Sequence, residues 1–178
     1  MFFRKKKQTI SSEELAQTLA VSFSTAIEEE LSDRSKLKWM WEALPQAEAD
    51  TVRQEWVVVQ MFLRSLAFRN HSQDLKAVET LLDCFHSFAL QSLTQNGLVQ
   101  SDGNTEGFLQ QRYRDYYQAM QGSKDFQFQI MKVAETFFHH CGGISVEAVL
   151  VATTYFMHAL VAEKNLITRL EKDSVIVS

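Results

Sequence analysis

Apolar residues recur every three or four positions along most of the chain, which is the spacing of amphipathic helices. The clearest case begins at Ser11, where Ser11 and Glu14 have the spacing of a capping box. Leucine, phenylalanine and isoleucine then follow at near-fourfold intervals as far as Leu31, with polar residues opposite. This pattern predicts a helix with one buried face and one solvated face.

Five further segments have the same period, and breaks rich in Gly, Ser or Asn separate them. They predict helices at 46–69, 72–94, 105–121, 123–141 and 144–172. Ser72 and Ser123 are the predicted caps of two of these helices, and Gly97 is predicted to end the helix 72–94 in the left-handed conformation. Residues 36–44, which end before Pro45, are expected to form a short helical turn or an irregular connector. The chain has one proline and six glycines in 178 residues, which favours long helices. The predicted fold is all-α: a single-domain bundle of five or six helices at 10–172, between tails at 1–9 and 173–178.

The stretch 144–162 is apolar nearly all round, with one formal charge, Glu147, and one histidine, His158. Such a helix is typical of the centre of a soluble bundle, so we expect it to be buried near the C-terminus. A membrane span is the competing interpretation, but it would bury Glu147, His158 and two threonines in lipid. Inside a soluble core His158 needs a hydrogen-bond partner, and a satisfied core histidine is the simplest expectation.

The predicted helix 46–69 has two apolar faces. The first consists of Val52, Trp56, Val59, Leu63 and Leu66, and the second of Val57, Met61 and Phe68. Because the stretch 144–162 already takes the central place, the second face predicts a homodimer interface. The alternative is that Trp39 and Trp41 of the connector cover this face within one chain. Tyr117, in a Tyr- and Arg-rich helix, is a further candidate for partner contact, with packing of these tyrosines in the core as the alternative.

Charge and cysteine content indicate in which cell compartment the protein lies and which class of partner it does not bind. The net charge is −4, although four consecutive cations lie at residues 4–7. The acidic remainder argues against nucleic-acid binding. No apolar run follows the cations, so a signal peptide is not expected, and Cys84 and Cys141 have the spacing of two isolated thiols. These features predict a cytoplasmic protein.

The N-terminal tail also has a candidate membrane-surface motif. It consists of Phe2, Phe3, Arg4, Lys5, Lys6 and Lys7. Such a cluster can contact anionic lipid at the inner membrane face, and a solubilising terminus is the simpler alternative.

The candidates for chemistry are few. No phosphate-binding loop, nucleophile elbow or paired Glu-x-x-His motif occurs. Glu79, Asp83 and His86 lie at i, i+4 and i+7 of one predicted helix, so together with His158 they are the candidates for a metal site. A polar helix flank is the alternative. Absence of a complete motif leads us to expect no cofactor and no co-purifying metal.

Three functional hypotheses follow from the sequence. The first is a cytoplasmic protein-protein interaction or regulatory module without catalytic activity, which forms a homodimer and also binds a partner not identifiable from sequence. The second is a helical metal-binding protein or enzyme that uses the four candidate ligands. The third is a carrier of a small apolar ligand, suggested by the abundance of Phe, Met and Trp.

Overall fold

The computed structural model describes residues 8–72, 74–99, 105–143 and 145–177, and within them the chain forms seven helices and two short strands. The helices are α1 (Ser12–Ser32), α2 (Lys38–Ala43), α3 (Ala49–His71), α4 (Leu75–Gln95), α5 (Thr105–Met120), α6 (Phe126–His140) and α7 (Val146–Asp173). The all-α prediction is confirmed. The predicted count of five or six is corrected, because the connector before Pro45 contains the separate helix α2.

The two ends of the described chain pair with each other as short parallel strands. Strand β1 (Gln8–Ser11) lies beside β2 (Ser174–Val177), with Gln8 opposite Ser174 and Ser11 opposite Val177. The expected tails at 1–9 and 173–178 are therefore too long, since part of each is strand. Pairing satisfies backbone groups that would otherwise need water. The candidate membrane-surface residues 2–7 lie outside the described residues.

Helix α3 is the central helix of this fold, which corrects the assignment of that place to 144–162. It contacts α4, α5, α6 and α7, and thirteen of its residues are buried. Contacts with four other helices leave little of α3 facing solvent, and this explains why its sequence is apolar on two faces.

The second apolar face of α3 is covered within one chain, which corrects the expectation that it is exposed. Val57, Met61 and Phe68 are all buried. Val57 borders a small recess with Leu90 of α4 and Phe108 of α5, so these helices cover this side. The alternative prediction, in which Trp39 and Trp41 cover the second face, is also corrected, because Trp39 packs on Trp56 of the first face. A dimer therefore has no exposed face of α3 to use, although the oligomeric state itself stays a prediction.

Helix α7 is only partly buried. Val149, Phe156 and Leu160 face the core, whereas Val146 and Leu150 are 77% and 55% exposed. Residues Val146–Lys172 form the one described helix with the length and composition to cross a membrane, and 33% of its most apolar stretch is buried. Length and composition alone are weak grounds for a membrane span. What distinguishes α7 from the expected central helix is its large exposed apolar side.

Side-chain caps explain where three of the described helices begin. Ser11 and Glu14 form the predicted capping box at α1. At α4 and α6 the caps are Asp74 and Asp125, each two positions after the predicted serine. An aspartate accepts the free backbone N–H more strongly because it is charged. Gly97 ends α4 with a φ of 68°, the left-handed conformation that its position predicted.

Candidate functional site

A cavity of about 360 Å³ opens between α1, α3 and α7. Its residues are Phe23, Ala26, Ile27, Glu30, Gln60, Leu63, Arg64, Tyr155, His158, Ala159, Ala162 and Glu163. Three alanines contribute to the wall, and their short side chains leave space between helices that larger residues would fill. The floor is apolar, and most of the polar groups come from α3 and α7. We refer to this space as the α1/α3/α7 cavity.

Glu30 is held in one orientation at one end of this cavity. Tyr155 donates a hydrogen bond to Glu30 Oε1 at 2.7 Å, and the Trp56 indole N–H donates to Oε2 at 3.1 Å. Burial and the neighbouring carboxylate raise the pKa of Tyr155, so its hydroxyl remains a donor at neutral pH. Trp39 packs on both aromatic rings, at centroid distances of 6.0 Å. Both donors are therefore fixed by packing, and Glu30 makes no ion pair with the residues described.

Arg64 occupies the other end of the cavity and is already fully engaged. Its guanidinium makes a two-pronged contact with Glu163 Oε1, at 2.8 Å from Nε and 2.6 Å from Nη2. Nη1 donates to the Leu19 carbonyl at 3.1 Å. The guanidinium also stacks over the rings of Phe23 and Phe85. The charge of Arg64 is thus neutralised locally, and the charge of Glu30 is not.

Two further polar atoms in the cavity wall have no hydrogen-bond partner among the described residues. They are Gln60 Nε2, a donor, and Glu163 Oε2, an acceptor. A buried polar atom without a partner costs roughly 1–3 kcal/mol, and the burial of these two atoms keeps them from direct contact with a molecule in the cavity. His158 is exposed beside them, which corrects the expectation of a core histidine with a partner.

The other candidate metal ligands lie elsewhere. A second cavity of about 590 Å³ between α4 and α5 includes Asp83 and His86 in its wall, whereas His158 belongs to the α1/α3/α7 cavity. Glu79 is exposed and lines neither cavity. Among the described residues no three His, Cys, Asp or Glu side chains are grouped to hold one metal ion. The four candidates therefore do not form one site.

His86 belongs to a buried hydrogen-bond network. Its Nε2 lies 2.9 Å from the Tyr113 hydroxyl and 3.0 Å from Ser65 Oγ. Ser65 is buried and donates its own proton to the Met61 carbonyl at 2.8 Å. Burial lowers the pKa of His86 to about 4. A serine that is enclosed and already donating to its own helix is not placed for nucleophilic attack, so this network stabilises the packing of α3, α4 and α5.

A buried charge on α3 forms a second network. Glu55 is 1% exposed and accepts from Arg112 Nε at 2.7 Å, while its Oε2 has no partner among the described residues. Burial raises the pKa of Glu55, and Arg112 opposes that rise. His140 lies 3.4 Å from Asp115 without the geometry of a hydrogen bond, and burial lowers the pKa of His140 to about 4.

Tyr117, the candidate recognition residue, packs inside this region of the structure. Its ring lies 5.0 Å from that of Phe62, and its hydroxyl is buried. Tyr113 and Tyr116 pack on the same phenylalanine. This arrangement corrects the interpretation of Tyr117 as a partner contact, because its polar end does not reach the surface.

An exposed apolar surface lies instead on α6 and α7. Phe128 and Leu150 border one recess of about 370 Å³, and an adjoining recess of about 140 Å³ includes Val146. Met131 and Leu150 belong to both recesses. We define the α6/α7 patch as Phe128, Met131, Val146 and Leu150. Monomeric proteins seldom leave adjoining large apolar side chains uncovered, so the patch is a candidate interface.

Comparisons with family models, with curated proteins and with solved structures find no match for this chain. The class of protein therefore rests on the fold described here, which is all-α.

Sequence reasoning missed the charged residues on α3. Glu55 and Arg64 interrupt a long apolar run, and that interruption was the available signal. Their partners Arg112 and Glu163 lie 57 and 99 positions away. Glu30 had no signal at all, because it follows two other glutamates in an ordinary solvated stretch.

Proposed function

We propose that this chain is a non-catalytic helical interaction module that binds a second copy of itself through the α6/α7 patch. The observation that supports it is the exposure of Val146 and Leu150, 77% and 55%, beside two adjoining recesses. Burying a large apolar side chain stabilises association by roughly 1.5–3 kcal/mol before ordering costs are subtracted. A regulatory role and a further protein partner remain part of the same proposal.

A second copy is favoured as the occupant because the patch contains both projecting and recessed parts. Phe128 and Leu150 are 43% and 55% exposed, and both border the larger recess together with Met131. A two-fold dimer places the same surface against itself, so projections on one copy need recesses on that same surface. We place this dimer in the cytoplasm, in keeping with its two free cysteines, with contact of residues 2–7 with the inner membrane face as a secondary proposal.

The test is sedimentation velocity of the wild type and of Leu150→Asp. We expect a concentration-dependent dimer for the wild type in the micromolar range and a monomer for Leu150→Asp. Val21→Asp is the matched control, because Val21 is 59% exposed on α1 and lies outside the patch. Helical circular dichroism must stay unchanged in both variants, as expected for substitutions at exposed positions.

Three outcomes contradict the proposal. They are a wild type that is monomeric throughout, a Leu150→Asp variant that dimerises as well as the wild type, and a Val21→Asp variant that dissociates equally. Met61→Asp is not a suitable probe, since Met61 is buried and a carboxylate there would unfold the chain.

A further inference from the structure

The α1/α3/α7 cavity has an uncompensated negative end. Glu30 accepts hydrogen bonds from two neutral donors, Tyr155 and Trp56, and neither removes its charge. The cation closest to it in the cavity wall is Arg64, which is paired with Glu163. A carboxylate in a partly enclosed site attracts a cation more strongly than one in open water, because the surroundings screen the charge less.

The rest of the cavity wall indicates the shape and polarity of the molecule that bears this cation. Phe23, Ile27 and Leu63 form an apolar floor suited to a hydrocarbon or aromatic body. The volume, about 360 Å³, lies at the lower end of the range of small-molecule sites. The cavity therefore suits a small-molecule ligand better than the surface of a protein partner.

We propose that the α1/α3/α7 cavity binds a small organic primary amine, with its ammonium group on Glu30 and its apolar body on Phe23, Ile27 and Leu63. The Glu30 carboxylate is already oriented by Tyr155 and Trp56, so binding pays little to order it. The ammonium forms a charge-assisted hydrogen bond, which is about twice as strong as a neutral one.

This site is distinct from the proposed dimer interface. The cavity residues of α7 run from Tyr155 to Glu163, and the α6/α7 patch uses Val146 to Leu150, so the two share no residue. The inference goes beyond the proposed interaction function, and each can fail without the other.

Calorimetry with three matched probes tests the chemistry. The probes are phenethylamine, phenethyl alcohol and phenylacetate, which are a cation, a neutral molecule and an anion with similar bodies. We expect the amine to bind at least about tenfold more tightly than the alcohol, a difference of about 1.4 kcal/mol, and the acid not to bind. Tryptophan fluorescence gives a second signal, because Trp56 donates directly to Glu30.

Two variants test the location. Glu30→Gln removes the charge, with Glu28→Gln, an exposed neighbour on α1, as its control. Ala162→Phe fills the cavity from its rim without changing Glu30, and Val161→Phe is the adjacent exposed control outside the cavity. Each test variant should weaken amine binding about tenfold or more, and each control should leave it within about twofold.

The inference is overturned if the amine and the alcohol bind equally or if the amine fails to bind at about 10 mM. It is also overturned if Ala162→Phe binds the amine as the wild type does. Because Ala162→Phe leaves every polar contact of Glu30 in place, its result stands even if Glu30→Gln proves unstable.

Discussion

At the scale of single residues, the most consequential feature is the carboxylate of Glu55 inside the core. Its pKa is raised by burial, and Arg112 is the partner that keeps the ionised form tolerable. Buried pairs contribute little net stability compared with well-packed apolar residues, but removing one partner leaves an uncompensated charge. Substitution of Arg112 alone should therefore cost much more stability than substitution of Arg112 and Glu55 together.

We predict that Arg112→Met lowers the free energy of unfolding by roughly 3–5 kcal/mol, and that adding Glu55→Gln recovers much of the loss. The raised pKa of Glu55 means that the folded chain binds its proton more tightly than the unfolded chain does. The energetic cost of the ionised Glu55 carboxylate therefore grows as pH rises above the pKa of Glu55 in the unfolded chain. Arg112→Met should consequently lower the free energy of unfolding more at pH 8 than at pH 5.

Urea unfolding of the two single variants and the double variant measures this coupling. Arg53→Met is the control, because Arg53 pairs with Asp50 on the same helix at an exposed position and should cost less than about 1 kcal/mol. Equal losses for Arg112→Met and Arg53→Met would refute the importance of burial here.

At the scale of elements, local sequence specifies where α1 begins. Ser11 Oγ accepts from the Glu14 N–H at 3.1 Å, and Glu14 accepts from the Ser11 N–H at 3.3 Å. These contacts satisfy backbone donors that the first helical turn leaves free. These contacts are local in sequence, while the pairing of Ser11 with Val177 across β1 and β2 adds a distant contact at the same end of the helix.

We predict that Ser11→Ala destabilises the chain by about 0.5–2 kcal/mol, through loss of the cap. Ser22→Ala, an exposed position within α1, is the control and should be neutral or slightly stabilising because alanine favours helix. Thermal and urea midpoints of both variants check this. A Ser11→Ala variant as stable as Ser22→Ala would show that the β1 and β2 pairing, not the cap, holds this end of α1.

At the scale of the whole molecule, two histidines make folding sensitive to acid. The pKa values of His86 and His140 are both lowered to about 4 by burial, from an unfolded value of 6.5. Between these values the unfolded chain binds protons that the folded chain does not. Their stabilising contribution is complete above pH 6.5 and is lost as pH falls toward 4.

We predict that the free energy of unfolding, measured by urea titration, falls steadily between pH 6.5 and pH 4.5, by up to about 1.4 kcal/mol per pH unit for each histidine. Glu55 acts with the opposite sign in this range, so the net slope is smaller than that of the two histidines combined. His86→Gln should flatten the pH dependence, whereas His139→Gln, an exposed neighbour of His140, should not. Identical pH profiles for all three proteins would contradict the burial of His86.

The sequence by itself determined the class of fold and most helix positions. Six segments with a 3.6-residue period became α1 and α3 to α7, because periodicity and capping act over a few neighbouring residues. Gly97 and the capping box at Ser11 were correct for the same reason. The cap positions at Asp74 and Asp125 were missed by two residues, which is the usual margin for helix boundaries.

Only the tertiary structure decided which helix is central and which apolar face is exposed. Helix α3 and helix α7 have similar apolar content, and no local signal ranks the order in which helices surround one another. The partners of Glu30, Glu55 and Arg64 are likewise set by packing between helices distant in sequence. Periodicity shows that a face is apolar, but burial depends on the neighbours that the fold brings to it, so the cavity and the α6/α7 patch became visible only in three dimensions.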